Sequence, residues 1–382
     1  MQKLRSVLVG SLLGVMMTFG WASAATPAPP PSLCIQGSSG TSCASTQTSP
    51  SSSTLIKWHP GHYIRLNDPS FAALAGNRQA WFDRVKSQPL IQGALVTVPW
   101  GSVETSQGVY DFSQIDHDLA YLKAMGKRLI IEVWWMNYWN TLPSAPQSGG
   151  VYWLPDYMIS NGCAAPASYS SGVGYTVQLH LQPCMDRLIA LFQALGQHYN
   201  SDPNVEQIII TEPSVPYATY DSNAFLAQFQ RLVAAMPAAW PNTSRAFYMN
   251  WFDQPGTMAA SAAASGVGLG GPDVLPPPPV GPWEDDGSQA LRGAGGKYGT
   301  VDYRGKIPVS YSFEALYSLA PSALIGYVLN TLKVTHMAWG ANDDLASNLN
   351  WDTGVIPTIT AINGQVGSTA CPTVYNNQCS TQ

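Results

Sequence analysis

Val205-Glu206-Gln207-Ile208-Ile209-Ile210-Thr211 is a short apolar run of β character, and it ends on Glu212-Pro213. A second run of the same kind, Ile307-Pro308-Val309-Ser310-Tyr311-Ser312-Phe313, ends on Glu314. Outward from these two the chain alternates. Strands are predicted at Tyr63–Leu66, Ile91–Val98, Arg128–Val133, Val205–Thr211, Ala246–Asn250, Val267–Leu269, Val309–Phe313 and His336–Trp339. Helical patterns fall between them, at Arg78–Lys86, Ile115–Met125, Met185–His198, Ala224–Ala235, Thr257–Ala264 and Ser322–Leu332, with a last one near Ile356–Ile362 and the faintest somewhere in Glu284–Gly296.

Eight βα units in about 310 residues fit a closed α/β architecture, the (β/α)8 TIM barrel. An open doubly wound sheet is disfavoured because no glycine-rich nucleotide-binding turn follows the first strand. The expected organisation is a signal peptide over 1–24, a Pro/Ser/Thr-rich linker or tail over 25–54, and a single barrel domain with stapled loop insertions over 55–365. A C-terminal tail with a local disulfide over 366–382 completes it. By strand count, Glu212 follows the fourth strand and Glu314 the seventh.

The leader is read from Lys3 and Arg5, the short apolar stretch Val7–Trp21 and the small residues Ala22-Ser23-Ala24. A secreted or periplasmic protein, mature from near Ala25 and without a transmembrane segment once the leader is removed, is expected. Six cysteines form three close couples, Cys34 with Cys43, Cys163 with Cys184 and Cys371 with Cys379. Spacing alone permits about fifteen pairings; closeness favours the local ones, as loop staples in an oxidising compartment. The 163–184 couple would close the long insertion Asn140–Gln182 into a lid or cleft wall.

Only 11% of residues are charged and the formal net charge is −5, so the chain offers no basic surface for nucleic acid or anionic membrane. Thirteen tryptophans and 18 tyrosines are then the conspicuous chemistry, for core packing or for stacking on sugar rings. No cofactor and no metal site is predicted: His59 and His62 precede the first predicted strand without a matching acidic cluster and read as structural or incidental. No Gly-x-Ser-x-Gly elbow or phosphate loop is present. A monomer is expected.

Trp100-Gly101-Ser102-Val103-Glu104-Thr105-Ser106-Gln107-Gly108-Val109-Tyr110-Asp111-Phe112, followed by Ile115-Asp116 and then Gly126-Lys127-Arg128-Leu129-Ile130-Ile131, resembles the second βα unit of many barrel glycoside hydrolases. With Glu212-Pro213 and Trp339, it is similar to the clan of retaining (β/α)8 glycosidases that includes cellulases, mannanases and β-galactosidases. The resemblance implies an acid/base at the end of strand four, Glu212, and a nucleophile at the end of strand seven, Glu314. It also implies that Trp339 is a sugar platform at the end of strand eight. The residue before the acid/base is Asn in most of these families, where its amide bonds the sugar 2-hydroxyl; here it is Thr211.

The chemistry supports the same roles. Glycoside hydrolysis passes through an oxocarbenium-like state, so one carboxylic acid must protonate the leaving oxygen while a second carboxylate attacks or stabilises the anomeric carbon. Strands four and seven face each other across a barrel mouth. The alternative for each glutamate is a surface carboxylate at a loop or first helical turn.

Further acidic candidates stand at strand ends: Glu132 before Trp134 and Trp135, Asp253 after strand five, and Asp273 after strand six. Glu132 reads either as a third carboxylate tuning the pair or as a buried residue satisfied by a strand neighbour. Candidate substrate contacts are Trp100, Glu132, Trp134, Trp135, Tyr138, Thr211, Tyr217, Trp251, Tyr311 and Trp339, with Trp139 and Tyr220 close to them in sequence. The expected partner is a neutral or weakly charged, β-linked oligo- or polysaccharide. Two functions fit: a secreted retaining glycoside hydrolase, or a pseudo-glycosidase barrel that binds glycan through an aromatic cleft without cutting it.

Overall fold

A computed structural model describes residues 35–37, 40–42, 55–66, 75–136, 154–169, 172–213, 220–250, 252–277, 285–313, 319–345 and 347–382. The chain divides into two units, Met1–Ser52 and Ser53–Gln382. In the first, the described residues form one antiparallel pair, Ile35–Gly37 with Gly40–Ser42. The leader and the Cys34–Cys43 couple lie outside the described residues. Among the described residues no helix is long and apolar enough to cross a membrane.

The second unit is a closed barrel of eight parallel strands. They are β1 (Gly61–Leu66), β2 (Ile91–Pro99), β3 (Arg128–Trp134), β4 (Val205–Ile210), β5 (Ser244–Tyr248), β6 (Gly268–Gly271), β7 (Val309–Phe313) and β8 (His336–Gly340). Each strand pairs with its neighbour in sequence order, and β8 closes on β1 through His336↔Gly61 to Gly340↔Arg65. All eight expected strands are present. The fifth begins two residues earlier than its apolar pattern suggests and ends at Tyr248, which leaves Asn250 beyond the ladder. The glycine-rich β6 packs so closely on β7 that a Cβ on Gly270 would fall 1.4 Å from Ser310 O.

Strand side chains alternate between two cores, as a period of two requires. Tyr63, Leu95, Ile130, Ile209, Ala246, Tyr248 and Ala338 fill the barrel interior. Their sequence neighbours Ile64, Val96, Ile131, Ile208, Ile210, Phe247, Met337 and Trp339 face the helices. Helix Gln182–Tyr199 presents Leu188, Leu191, Phe192 and Leu195 to that outer core at i, i+3, i+4 and i+7 spacing. Each such side chain contributes about 1.5–3 kcal/mol over an exposed one. The faintly signalled helix runs Asp286–Arg292. Asp285 caps its start by accepting from Ser288 N, and Gly293 ends it in the left-handed region at φ 64. Disulfides Cys163–Cys184 and Cys371–Cys379 are both formed.

The barrel floor holds a buried charge, Glu206. Glu206 falls at a register shift in β4 between Val205 and Gln207. It accepts from His59 N at 2.7 Å and pairs with His59 Nδ1 at 2.7 Å and His336 Nε2 at 3.0 Å. The short strands Ile56–Lys57 and Cys379–Ser380 pair beside it, bringing the ends of this unit together.

Burial pushes the Glu206 pKa up, but the hydrogen bonds and charges of His336 and His59 outweigh it and hold the carboxyl at about 2, against 4.5 for an ordinary glutamate. The unfolded chain therefore takes up this proton at higher pH than the folded one. The stabilisation is complete above pH 4.5 and is lost as the pH falls through about 2. In urea denaturation series, acidification across this window is expected to remove on the order of 3 kcal/mol through this residue. Glu206→Gln should flatten that part of the profile.

Candidate active site

The inward positions above the apolar barrel core are polar. Arg65, Glu132 and Thr211 lie two residues beyond Tyr63, Ile130 and Ile209 along β1, β3 and the end of β4, and Ser312 stands in β7. All four are buried. Arg65 Nη2 meets Glu132 Oε2 at 3.0 Å, and its Nη1 donates to Ser312 Oγ at 2.6 Å. Ser312 in turn donates to Pro272 O at 2.8 Å, and Thr211 Oγ1 donates to Glu132 Oε1 at 2.8 Å. One guanidinium thus ties β1, β3, β7 and the loop after β6 together.

This network gives Glu132 partners on β1 and at the end of β4. Its charge is matched by Arg65, and its Oε1 accepts from Thr211. The same bond accounts for Thr211: its hydroxyl is directed across β3–β4 at Glu132. Tyr248 packs beneath, its phenol pushed well up by burial and by the Glu132 charge, against the opposing pull of Arg65.

Glu212 follows directly, at the C-terminal end of β4 where a barrel presents its chemistry. It is almost fully buried, and its Oε2 accepts from Asn250 Nδ2 at 3.2 Å. Asn250 and Arg65, like Ser312, are site residues that the sequence pattern did not reveal. The only signal for either was its register, an inward position one period beyond an inward apolar residue. Of the rival carboxylates, Asp253 is exposed and accepts a hydrogen bond from Tyr220, while Asp273 is half-buried just past β6. Glu314, Tyr138, Trp139, Tyr217 and Trp251 lie outside the described residues.

The aromatic candidates separate by face. Trp134, the last residue of β3, lies in the same register as Glu132, and its side chain is buried. Trp100, Trp135, Tyr311 and Trp339 instead belong to the outer core between strands and helices. Trp100 Nε1 donates to Glu104 Oε2 at 2.6 Å. Tyr311 accepts from Ser288 Oγ at 3.0 Å. Trp339 donates from Nε1 to His62 Nδ1 at 3.0 Å, and His62 Nε2–H donates to Gln365 O at 2.9 Å. A platform role for Trp339 does not fit this burial. Its one-residue offset from inward-facing Ala338 turns it away from the mouth.

The insertion is fastened to the loop after β2. Glu104 is buried, accepts from Gly108 N at 2.8 Å, and pairs with Arg187. The Arg187 Nε donates to Tyr157 OH at 3.1 Å on the short helix Asp156–Ser160. Cys163–Cys184 fixes the same stretch one turn before Arg187.

The structure is similar to a β-mannanase from the blue mussel Mytilus edulis, with a TM-score of 0.53 and 8% identity over 84% of this chain and 100% of that one. The two proteins share the barrel fold. The structure also aligns with a β-galactosidase from the psychrophilic Marinomonas ef1, with TM-score 0.47, 10% identity, and 83% of this chain on 58% of that one. For a β-galactosidase from Bacillus circulans sp. alkalophilus the values are 0.49, 9%, 85% and 55%. The chain thus spans 58% and 55% of those two proteins. No family model matches the sequence, and the search of curated proteins gives no match.

Proposed function

We propose that the protein is a secreted retaining glycoside hydrolase acting on a β-linked glycan, with Glu212 as acid/base and Glu314 as nucleophile. The observation that carries this reading is the position of Glu212. It is a buried carboxyl at the end of β4, bonded to an uncharged amide, beside a network in which the nearest rival, Glu132, is already neutralised by Arg65. The name of the β-mannanase that shares the barrel fold supports a β-linked glycan as substrate, and the resemblance of Trp100–Ile131 supports the retaining mechanism.

Protonated Glu212 gives its proton to the glycosidic oxygen as the bond to the anomeric carbon breaks, and the Glu314 carboxylate attacks that carbon to form a glycosyl ester. Glu212, now ionised, removes a proton from water as the water displaces Glu314, and the sugar leaves with its configuration retained. The mechanism requires the two carboxyls ~5–5.5 Å apart.

The second reading, a barrel that binds glycan without cutting it, is favoured by one observation: the Thr211 hydroxyl is committed to Glu132. A panel of β-mannan, β-galactan, β-glucan and xylan, incubated with wild type and Glu314→Gln, separates the two. Reducing ends released by wild type and not by the variant support the hydrolase. Binding by both proteins with release by neither supports the binding barrel.

A further inference from the structure

We propose that Asn250 is the positioning residue for Glu212, fixing which carboxyl oxygen carries the proton that is transferred; this rests on the acid/base role given to Glu212 above. Asn250 stands two residues past β5 and is 8% exposed. Its Nδ2 donates to Glu212 Oε2 at 3.2 Å. A carboxyl oxygen already accepting an amide N–H is disfavoured as the site of the acid's own proton, because two hydrogens would then face each other. The proton is therefore directed away from Oε2. The same bond favours the ionised carboxyl, the form that accepts a proton from water in the second half of the reaction.

A packing role alone does not account for this side chain. Among the described residues Asn250 Oδ1 is buried and accepts no hydrogen bond, an arrangement that lowers stability and that an apolar residue of similar size would avoid. The backbone on either side of Asn250 is fastened. Met249 N donates to Gly270 O at 3.0 Å, and Phe252 N to Asp286 Oδ2 at 3.2 Å. Even a Cβ on Gly271 would come within 3.0 Å of Asn250 Oδ1.

The test is a 13C NMR titration of the glutamate side-chain carboxyls in the full chain, with the Glu212 resonance assigned through Glu212→Gln. Asn250→Ala is expected to raise the Glu212 midpoint by about 1, because a donor to the ionised form is lost. Asn250→Asp should raise it further, because a second carboxylate then stands where the amide was. The basic limb of the kcat/KM profile should move with it. A Glu212 midpoint unchanged in both variants would overturn the proposal. A midpoint that moves in a protein turning over no glycan supports the Asn250–Glu212 pairing and counts against the hydrolase reading alone. Turnover by wild type with an unmoved midpoint counts against Asn250 alone.

Discussion

Glu212→Gln is expected to lower turnover of a glycoside with a poor leaving group by ~10²–10⁴-fold, the usual contribution of a positioned general acid. An aryl glycoside whose phenol departs readily without a proton should lose much less in the bond-breaking step, because its leaving group does not need the acid. The comparison is made by measuring kcat/KM for a dinitrophenyl and an alkyl glycoside of the same sugar in both proteins. Gln retains an oxygen to accept from Asn250, so the variant should melt close to wild type. Equal losses on both leaving groups, or no loss on either, would take Glu212 out of the acid role.

Arg65→Leu should be among the most destabilising single changes in the barrel. Both partners of the Arg65–Glu132 pair are fully buried, and removing the guanidinium strands the Glu132 charge, at a cost of about 3–5 kcal/mol. Arg65→Met combined with Glu132→Leu should recover much of that loss, because no uncompensated charge remains and the lumen is refilled with apolar volume. Urea denaturation of the single and double variants gives the coupling energy. Single costs below about 1 kcal/mol that simply add would show that the two residues do not form one unit. Activity should not return with stability in the double variant, since Thr211 and Ser312 lose the partners that orient the ends of β4 and β7.

The barrel was legible because its two periodicities are strong. Strands such as Arg128–Trp134 and helices such as Gln182–Tyr199 carry enough apolar residues at the right spacing to announce themselves. Even β6, a four-residue Gly-Leu-Gly-Gly strand, was placed by the rhythm around it. What the rhythm did not carry was the face on which each residue lies. Trp339 and Tyr311 sit where a strand-end reading suggests sugar contact, but each is one residue out of phase with the lumen.

The polar network was hidden for a different reason. A lone arginine in Tyr63-Ile64-Arg65-Leu66 gives no sign of its partner, which lies 67 residues away on β3. The apolar pattern carries strand five to Asn250, whereas the strand ends at Tyr248, so the pattern gives no sign that this side chain reaches the site. Glu206 was masked by its place inside an apolar run, and only the register shift in β4 gives it a distinct environment.

The central claim is that Glu212 and Glu314 divide the work of a retaining glycosidase. It is tested most directly by incubating the wild-type protein with a 2-deoxy-2-fluoro glycoside, carrying an activated leaving group, of whichever sugar the polysaccharide panel identifies, and mapping the labelled peptide by mass spectrometry. A single glycosyl ester on Glu314 is expected, still formed by Glu212→Gln because the activated leaving group departs without a proton. A label on Glu132, Asp253 or Asp273, or inverted product from the unfluorinated substrate, would contradict it.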